Sequence, residues 1–371
     1  MKKIRVVELY AGTARSIEPF RRWKRTEIAL LVDANKFARD TYLRNFPDAR
    51  YACRDLAKLR PSELAQLADG EIDVVLGCPP CQGFSESGSR RDDDPRNRHM
   101  RHFARLATAV RPRVIVMENV PGVGDSEEFE DLTDRLSESG YSWSSIVANA
   151  AQYGSCQSRQ RLLLVAFRED LGGLPVFPLP THGGKQPIFS YSLLKLRELR
   201  EDPIDMLGVT PATQRISRLM TQDVLAKVGR RPLPTIWDAI GDLPRLGSKA
   251  AKDIQHVQWD HSARMLRQMA RVREGGRWDG GRDHYSHAYG RLHRRGLART
   301  VTTFFAYAGG GRFWHPTQNR SLTLREGARI QGFPDDFLFS ELPKRSAALI
   351  GNALDSALAS VCYRMVRRAL E

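Results

Sequence analysis

The 371-residue chain carries 58 Lys and Arg against 43 Asp and Glu, a formal net charge of +15, and is 41% hydrophobic. That is apolar content for one large core or two modest ones, and the charge favours a polyanionic partner, nucleic acid ahead of a membrane surface. No apolar run approaches the roughly 18 residues of a spanning helix, MKKIRVVELYAG lacks a signal-peptide core, and five cysteines at 53, 78, 81, 156 and 362 do not read as a disulfide framework; a cytoplasmic protein with reduced thiols and no membrane contact is expected.

Along the first 170 residues, short β-branched runs alternate with amphipathic stretches: IRVVEL (4–9), IALLVD (28–33), DVVLG (73–77), VIVMEN (114–119) and LLLVAF (162–167). Continuous apolar strands suit a parallel sheet covered on both faces, so the pattern predicts a doubly wound, Rossmann-like α/β domain. From about residue 176 the periodicity dissolves into Pro, Gly, Trp, His and Arg until near residue 321, which predicts a second, smaller, irregular domain. LTLREGARIQ (322–331) is predicted as a helix stopped by Gly332-Phe333-Pro334, and Asn352 is expected to N-cap the last helix. The expected division is 1–178 plus 312–371 for the first domain and 179–311 for the second.

In VVELYAGTARS a strand runs into a turn at Gly12, and Asp33 closes the next strand at the roughly 20-residue distance at which an acid meets ribose hydroxyls. Ala14 stands where such sites usually have a second glycine. DVVLGCPPCQGFS puts a rigid Pro79-Pro80 corner and Cys81 at the carboxyl end of a strand. A CxxC redox pair or half of a zinc site is the competing reading, but no second CxxC exists, and Gln82-Gly83-Phe84 suggest a loop rather than a helix. MENVPG buries Glu118 and Asn119 at another strand end, where a carboxylate needs a task or a partner such as Arg. In QYGSCQSRQRLLLV, Arg159 and Arg161 project from one face of a strand. His256, His261, His284 and His287 have no thiol nearby and fit no common ligand spacing, so no metal is expected.

In this order the segments resemble the DNA cytosine-5 methyltransferases. ELYAGTA is similar to the family's first block, LLVDANKFARDTYLRNFP to its second, and Asp55 in CRDL to its third. GCPPCQGFS is similar to its nucleophile block, DDDPRNRHM and MENVPG to the fifth and sixth, and QYGSCQSRQR, with Gln157, Arg159 and Arg161, to the QxRxR block. RSLTLREGARIQGFPDDF and LIGNALDSALA match the ninth and tenth. Residues 4–170 and about 297–365 are covered. Departures are Ala14 for glycine, His99 for leucine, Cys156 for proline, and Leu354-Asp355 for the common Val-Pro; Asp355 has no evident rationale in the sequence.

The resemblance implies S-adenosylmethionine as methyl donor, held by Tyr10, Gly12, Asp33, Asp55, Pro79 and Asn352. Cytosine C5 is a poor nucleophile, so Cys81 would add to C6 while Glu118 serves N3, protonated or sharing a proton there, and Arg159 and Arg161 hold the base O2, a phosphate or Glu118. Because C6 is stacked in duplex DNA, the base must be turned out of the helix, and the region 179–311 would read the target. It offers Trp237, Trp259 and Trp278 for packing or stacking and Arg291, Arg294, Arg295 and Arg299 for phosphates, joined by Gln82 and Ser85 of the nucleophile loop. Cys78 is expected to be dispensable. The implied partner is double-stranded DNA, with a restriction endonuclease or defence proteins alongside, and the implied state is a monomer. The alternatives are a tRNA cytosine-5 methyltransferase, whose Cys-Phe-Thr motif is absent here, and a silent DNA-binding regulator, against which intact Cys81, Glu118 and Arg159 argue.

Overall fold

The computed structural model describes residues 2–80, 98–183, 231–278, 288–340 and 342–371. Cys81, Gln82, Ser85, His284 and His287 lie outside the described residues. The apolar runs form β1 (Ile4–Leu9), β2 (Thr26–Asp33), β3 (Tyr51–Cys53), β4 (Val74–Gly77), β5 (Val114–Asn119), β6 (Tyr141–Asn149) and β8 (Gln160–Arg168) of one sheet, in the order β3-β2-β1-β4-β5-β8-β6. Strands β3 to β5 pair in parallel, whereas β8 runs antiparallel to both β5 and β6. The order reverses between β1 and β4, and open α/β sheets bind ligands outside the carboxyl ends of the strands at such a switch point.

Alternate strand residues feed two cores. Val7, Leu9, Val75, Ile115 and Met117 pack under α3 (Pro61–Ala68), α4 (Arg98–Ala109) and α5 (Glu127–Glu138). Val6, Leu76, Val116 and Leu163 face α1 (Glu18–Arg21), Tyr42 of α2 (Lys36–Asn45), and the C-terminal helix α11 (Ser356–Leu370). This burial on both faces explains why the strands read as unbroken apolar runs.

A third core lies in the second part of the chain. Short helices α6 (Ile236–Ile240), α7 (Lys249–Asp253) and α8 (Ala263–Ala270) precede the strand β9 (Ala298–Arg299), which pairs in parallel with β7 (Gln157–Ser158). Ile236, Ile240, Val301, Phe305 and Phe313 pack there with Ala328 and Ile330 of α9 (Leu324–Ile330) and Ala347 and Ile350 of α10 (Pro343–Asn352). This core runs across residue 312, so the division drawn from the sequence does not coincide with the packing. Residues 313–350 contribute to this third core, and the chain rejoins the sheet with α11.

Two sequence expectations need correction. Asn352 is the last residue of α10 rather than a cap, and Asp355 N-caps α11, its side chain accepting the amide of Ala357 at 2.8 Å. Asp355 thus acquires the role that its sequence position did not reveal. Arg291, expected on a DNA-facing surface, is 6% exposed. Its guanidinium donates to the carbonyls of Met269, Val272, His315 and Gln318 and to Asn319 Oδ1, so it ties the second part together from inside.

Candidate active site

The carboxyl ends of β1, β2, β4 and β5 and the amino end of the antiparallel β8 open into a cleft of about 1960 Å³, closed on its far side by residues 299–304, 309–313 and the end of α10. At the β1 end the chain turns sharply. Tyr10, Gly12 and Ala14 all have positive φ (57°, 51° and 52°), a region cheap only for glycine. A Cβ on Gly12 would meet nothing within 4 Å, so the backbone there presents open space to the cleft. Ala14 adopts the left-handed conformation in spite of its methyl group, which accounts for the glycine usual at that place.

Asp33 ends β2 and is drawn back onto that turn, its two oxygens accepting the amides of Gly12 at 2.9 Å and Asn35 at 2.7 Å. Burial raises its pKa against the lowering effect of those amides. Asp55 caps its own turn through the amide of Ala57 and lines the cleft, as do Pro79 and Asn352. The Tyr10 hydroxyl donates to the carbonyl of His99, whose ring stacks edge-on against it at 5.5 Å between centroids. Below the turn, Glu8 is 2% exposed, bonded through Oε1 to Ser16, with Oε2 unpartnered among the described residues. Burial pushes its pKa up to about 8.

The sheet register builds the centre of the cleft. Gly77 of β4 pairs with Met117 of β5, so the next residues along, Cys78 and Glu118, are neighbours on the face that also carries Val116 and α11. A Cβ on Gly77 would lie 2.3 Å from the Phe103 ring, so β4 can approach α4 this closely only with glycine at its end. In the antiparallel pairing Glu118 faces Leu163, which puts Arg161, two residues earlier in β8, diagonally opposite on the same face. Glu118 is 5% exposed. Its Oε1 pairs with Arg161 Nε at 2.8 Å and its Oε2 accepts the Cys78 thiol at 2.6 Å. The partner expected of a buried acid is therefore present, and Cys78, expected to be dispensable, contacts that acid directly.

Arg159 lies behind this group. Fully buried, with its pKa pulled down to about 9 by that burial, it donates to the carbonyls of Val301, Gly351 and Ala353. Its role in the protein alone is to pin the end of α10 and residue 301 to the sheet; its Nε has no partner among the described residues. Gln157 works beside it, donating through Nε2 to the carbonyl of Ile330, to Gln331 and to Asp355, and accepting the amide of Val301. Gln331 extends the set by donating to the carbonyls of Ile350 and Ala353. Only the spacing of Gln157 and Arg159 hinted at this network, because its other members come from a chain segment more than 140 residues away.

On the second part, Arg294 is exposed but paired in a fork with Glu274, while Arg295 and Arg299 are exposed, and Arg299 lines the cleft. Trp237 is 40% exposed, whereas Trp259 and Trp278 pack against apolar clusters. His256 contacts the Thr323 hydroxyl and His261 accepts the amide of Ser321. Among the described residues no three His, Cys, Asp or Glu gather as metal ligands, and no helix is long and apolar enough to cross a membrane.

Comparison with known proteins agrees with this geometry. The chain is 29% identical over 336 residues to the Type II methyltransferase M1.HphI of Haemophilus parahaemolyticus, covering 88% of this chain and 77% of that one. It is 28% identical over 354 residues to M.DdeI of Desulfomicrobium norvegicum, covering 90% and 79%. A DNA modification methyltransferase from an E. coli prophage shares the fold with a TM-score of 0.67 at 20% identity over 99% of both chains. Dnmt2 of Spodoptera frugiperda does so with 0.59 at 18% identity over 98% and 99%. The family model of the C-5 cytosine-specific DNA methylases matches residues 4–366, and the chain, with its methyltransferase sheet and its acid held at the end of β5, belongs to that family of DNA cytosine-5 methyltransferases.

Proposed function

We propose that the protein transfers a methyl group from S-adenosylmethionine to C5 of a cytosine turned out of double-stranded DNA, through a transient bond between Cys81 and C6. The observation that carries this reading is the Glu118 carboxylate, buried at a strand end with both oxygens held, in the cleft that Asp33 and Asp55 also line. Pro80, next to Cys81 in the chain, lines the same cleft.

The residues present suit the methyl donor. The Gly12 turn leaves a space that any Cβ would enter, Asp33 is an acid fixed by two amides for ribose hydroxyls, and Tyr10, Asp55, Pro79 and Asn352 complete the walls. Bound there, S-adenosylmethionine supplies the methyl group that C5 accepts. The protein's own part is to raise the electron density on C5. The Cys81 thiolate forms a bond to C6 while Glu118 holds a proton at N3, so that the charge is taken up on the ring nitrogen. Arg161 keeps Glu118 in place, and Arg159 keeps the wall of the cleft. Loss of the C5 proton to water or a base then breaks the bond to C6 and returns Cys81.

Extracting the base calls for a second body on the DNA, a part that we assign to residues 179–311 with Gln82, Ser85, Arg294, Arg295 and Arg299 on the phosphates and bases. Since relatives are named Type II methyltransferases, we assign the protein to a restriction-modification or phage-defence setting, as a cytoplasmic monomer beside a cognate endonuclease or defence proteins. Sequencing methylated cytosines in DNA from cells expressing the chain gives the target. A duplex carrying 5-fluorocytosine there cannot lose its C5 substituent, so wild-type protein with cofactor should become covalently attached and Cys81→Ala should not. Absence of the adduct on a verified target overturns the assignment.

A further inference from the structure

We propose that Cys78 is a positioning residue for methyl transfer: its thiol, donating to Glu118 Oε2, fixes the rotation of the carboxylate that Arg161 holds at Oε1. The inference rests on the assignment of Glu118 to cytosine N3.

A carboxylate on a two-bond stem turns freely about its last bond unless both oxygens are engaged, since χ3 of glutamate has broad, shallow wells. Arg161 alone holds Oε1 at 2.8 Å and leaves that rotation open; Cys78 at Oε2, 2.6 Å away, closes it. The two donors come from opposite flanks of β5, the thiol from the end of β4 and the guanidinium from β8, so the plane of the carboxylate is set by three adjacent strands. Cysteine suits the place sterically as well. The small void behind it is walled by Ser16 and Glu118 and by Leu76, Val116, Leu354, Ala359 and Cys362, a mostly apolar lining with room for a small side chain. Holding a catalytic group in productive geometry contributes to the rate and not to ligand affinity, and a displacement of about 1 Å can cost on the order of a hundredfold.

The test is a set of variants assayed for single-turnover methyl transfer, cofactor and DNA affinity, and melting. Cys78→Ala, which removes the donor, should lower kcat about tenfold, the equivalent of one hydrogen bond of about 1.4 kcal/mol, with KM for DNA and cofactor within about twofold. Cys78→Ser keeps a donor and should recover to within about threefold of wild type. On a Glu118→Gln background, itself expected to fall at least a hundredfold, Cys78→Ala should add nothing, because the thiol acts through Glu118. Wild-type kcat in Cys78→Ala, equal losses in the Ala and Ser variants at unchanged melting, or additive losses on Glu118→Gln would each overturn the role of Cys78. Full activity of Glu118→Gln would instead overturn the assignment of Glu118.

Discussion

Asp355 Oδ2 accepts a hydrogen bond from Gln157 Nε2 at 2.7 Å, joining two residues 198 positions apart, both at most 1% exposed. The same oxygen accepts from Ser155, and the other caps α11. Replacing Asp355 by Ala should therefore lose a helix cap worth about 1 kcal/mol and leave the buried Ser155 hydroxyl without its acceptor, with one of three acceptors gone from Gln157, at about 1–3 kcal/mol. A loss of roughly 2–4 kcal/mol in urea unfolding is expected, with Asp355→Asn at about half of that, because it keeps the cap. A loss below 0.5 kcal/mol for Asp355→Ala would remove this network from the account of stability.

Glu8 should make the protein less stable as pH rises. Its pKa in the fold, about 8 through burial, exceeds the ordinary 4.5, so between those values the folded chain keeps a proton that the unfolded chain has released, and stability falls as pH climbs through that window. Glu8→Gln removes this dependence. Its melting temperature should decline less than that of wild type between pH 5 and pH 8.5, and exceed it at the alkaline end. Parallel curves would show that Glu8 does not titrate in this range.

Asp33→Ala should weaken S-adenosylmethionine binding by about ten- to a hundredfold in calorimetry. Hydrogen bonds to a charged acceptor are worth roughly 1.5–3 kcal/mol, and the Gly12 amide also loses its anchor. Unchanged affinity would take Asp33 out of the cofactor site.

The arginines of the second part should separate by burial. Each phosphate neutralised contributes a slope of about −0.9 in log K against log salt, so Arg295→Ala and Arg299→Ala should each lower the slope by up to that amount. Arg294→Ala should lower it less, because Glu274, its carboxyl held down to about 2 by Arg294, already balances that charge. Arg291→Ala should leave the slope alone and destabilise the fold by more than about 3 kcal/mol, since five acceptors lose their donor together. A drop in slope with no change in melting would return Arg291 to the DNA-facing surface.

The five strands expected from apolar runs all exist, because strands covered on both faces announce themselves by composition. The edge strand β6 was not foreseen: most of its residues are half-buried, and YSWSSIVAN offers neither an apolar run nor a clean alternation. The short helices α6 to α8 escaped for want of several turns over which a period could show. The contact of Cys78 with Glu118 was not legible, because it comes from the pairing of β4 with β5, which no local pattern reports. Asn352 and Asp355 are equally good caps by residue type, and what decides between them is Gln157, a tertiary partner. Arg291 looked like surface by chemistry, yet a guanidinium surrounded by carbonyls is a satisfied interior group.

The helix α11 gives the sheet domain an unusual timetable. Leu358, Val361, Cys362, Met365 and Val366 cover the face formed by Val6, Leu76, Val116 and Leu163, yet the ribosome delivers them only after the second part. Domains made first generally fold first, but here the strands must wait, one face bare, while the whole second part is synthesised. The face left bare is the one that carries Cys78, Glu118 and Arg161, so that cluster gains its floor only once α11 has been made.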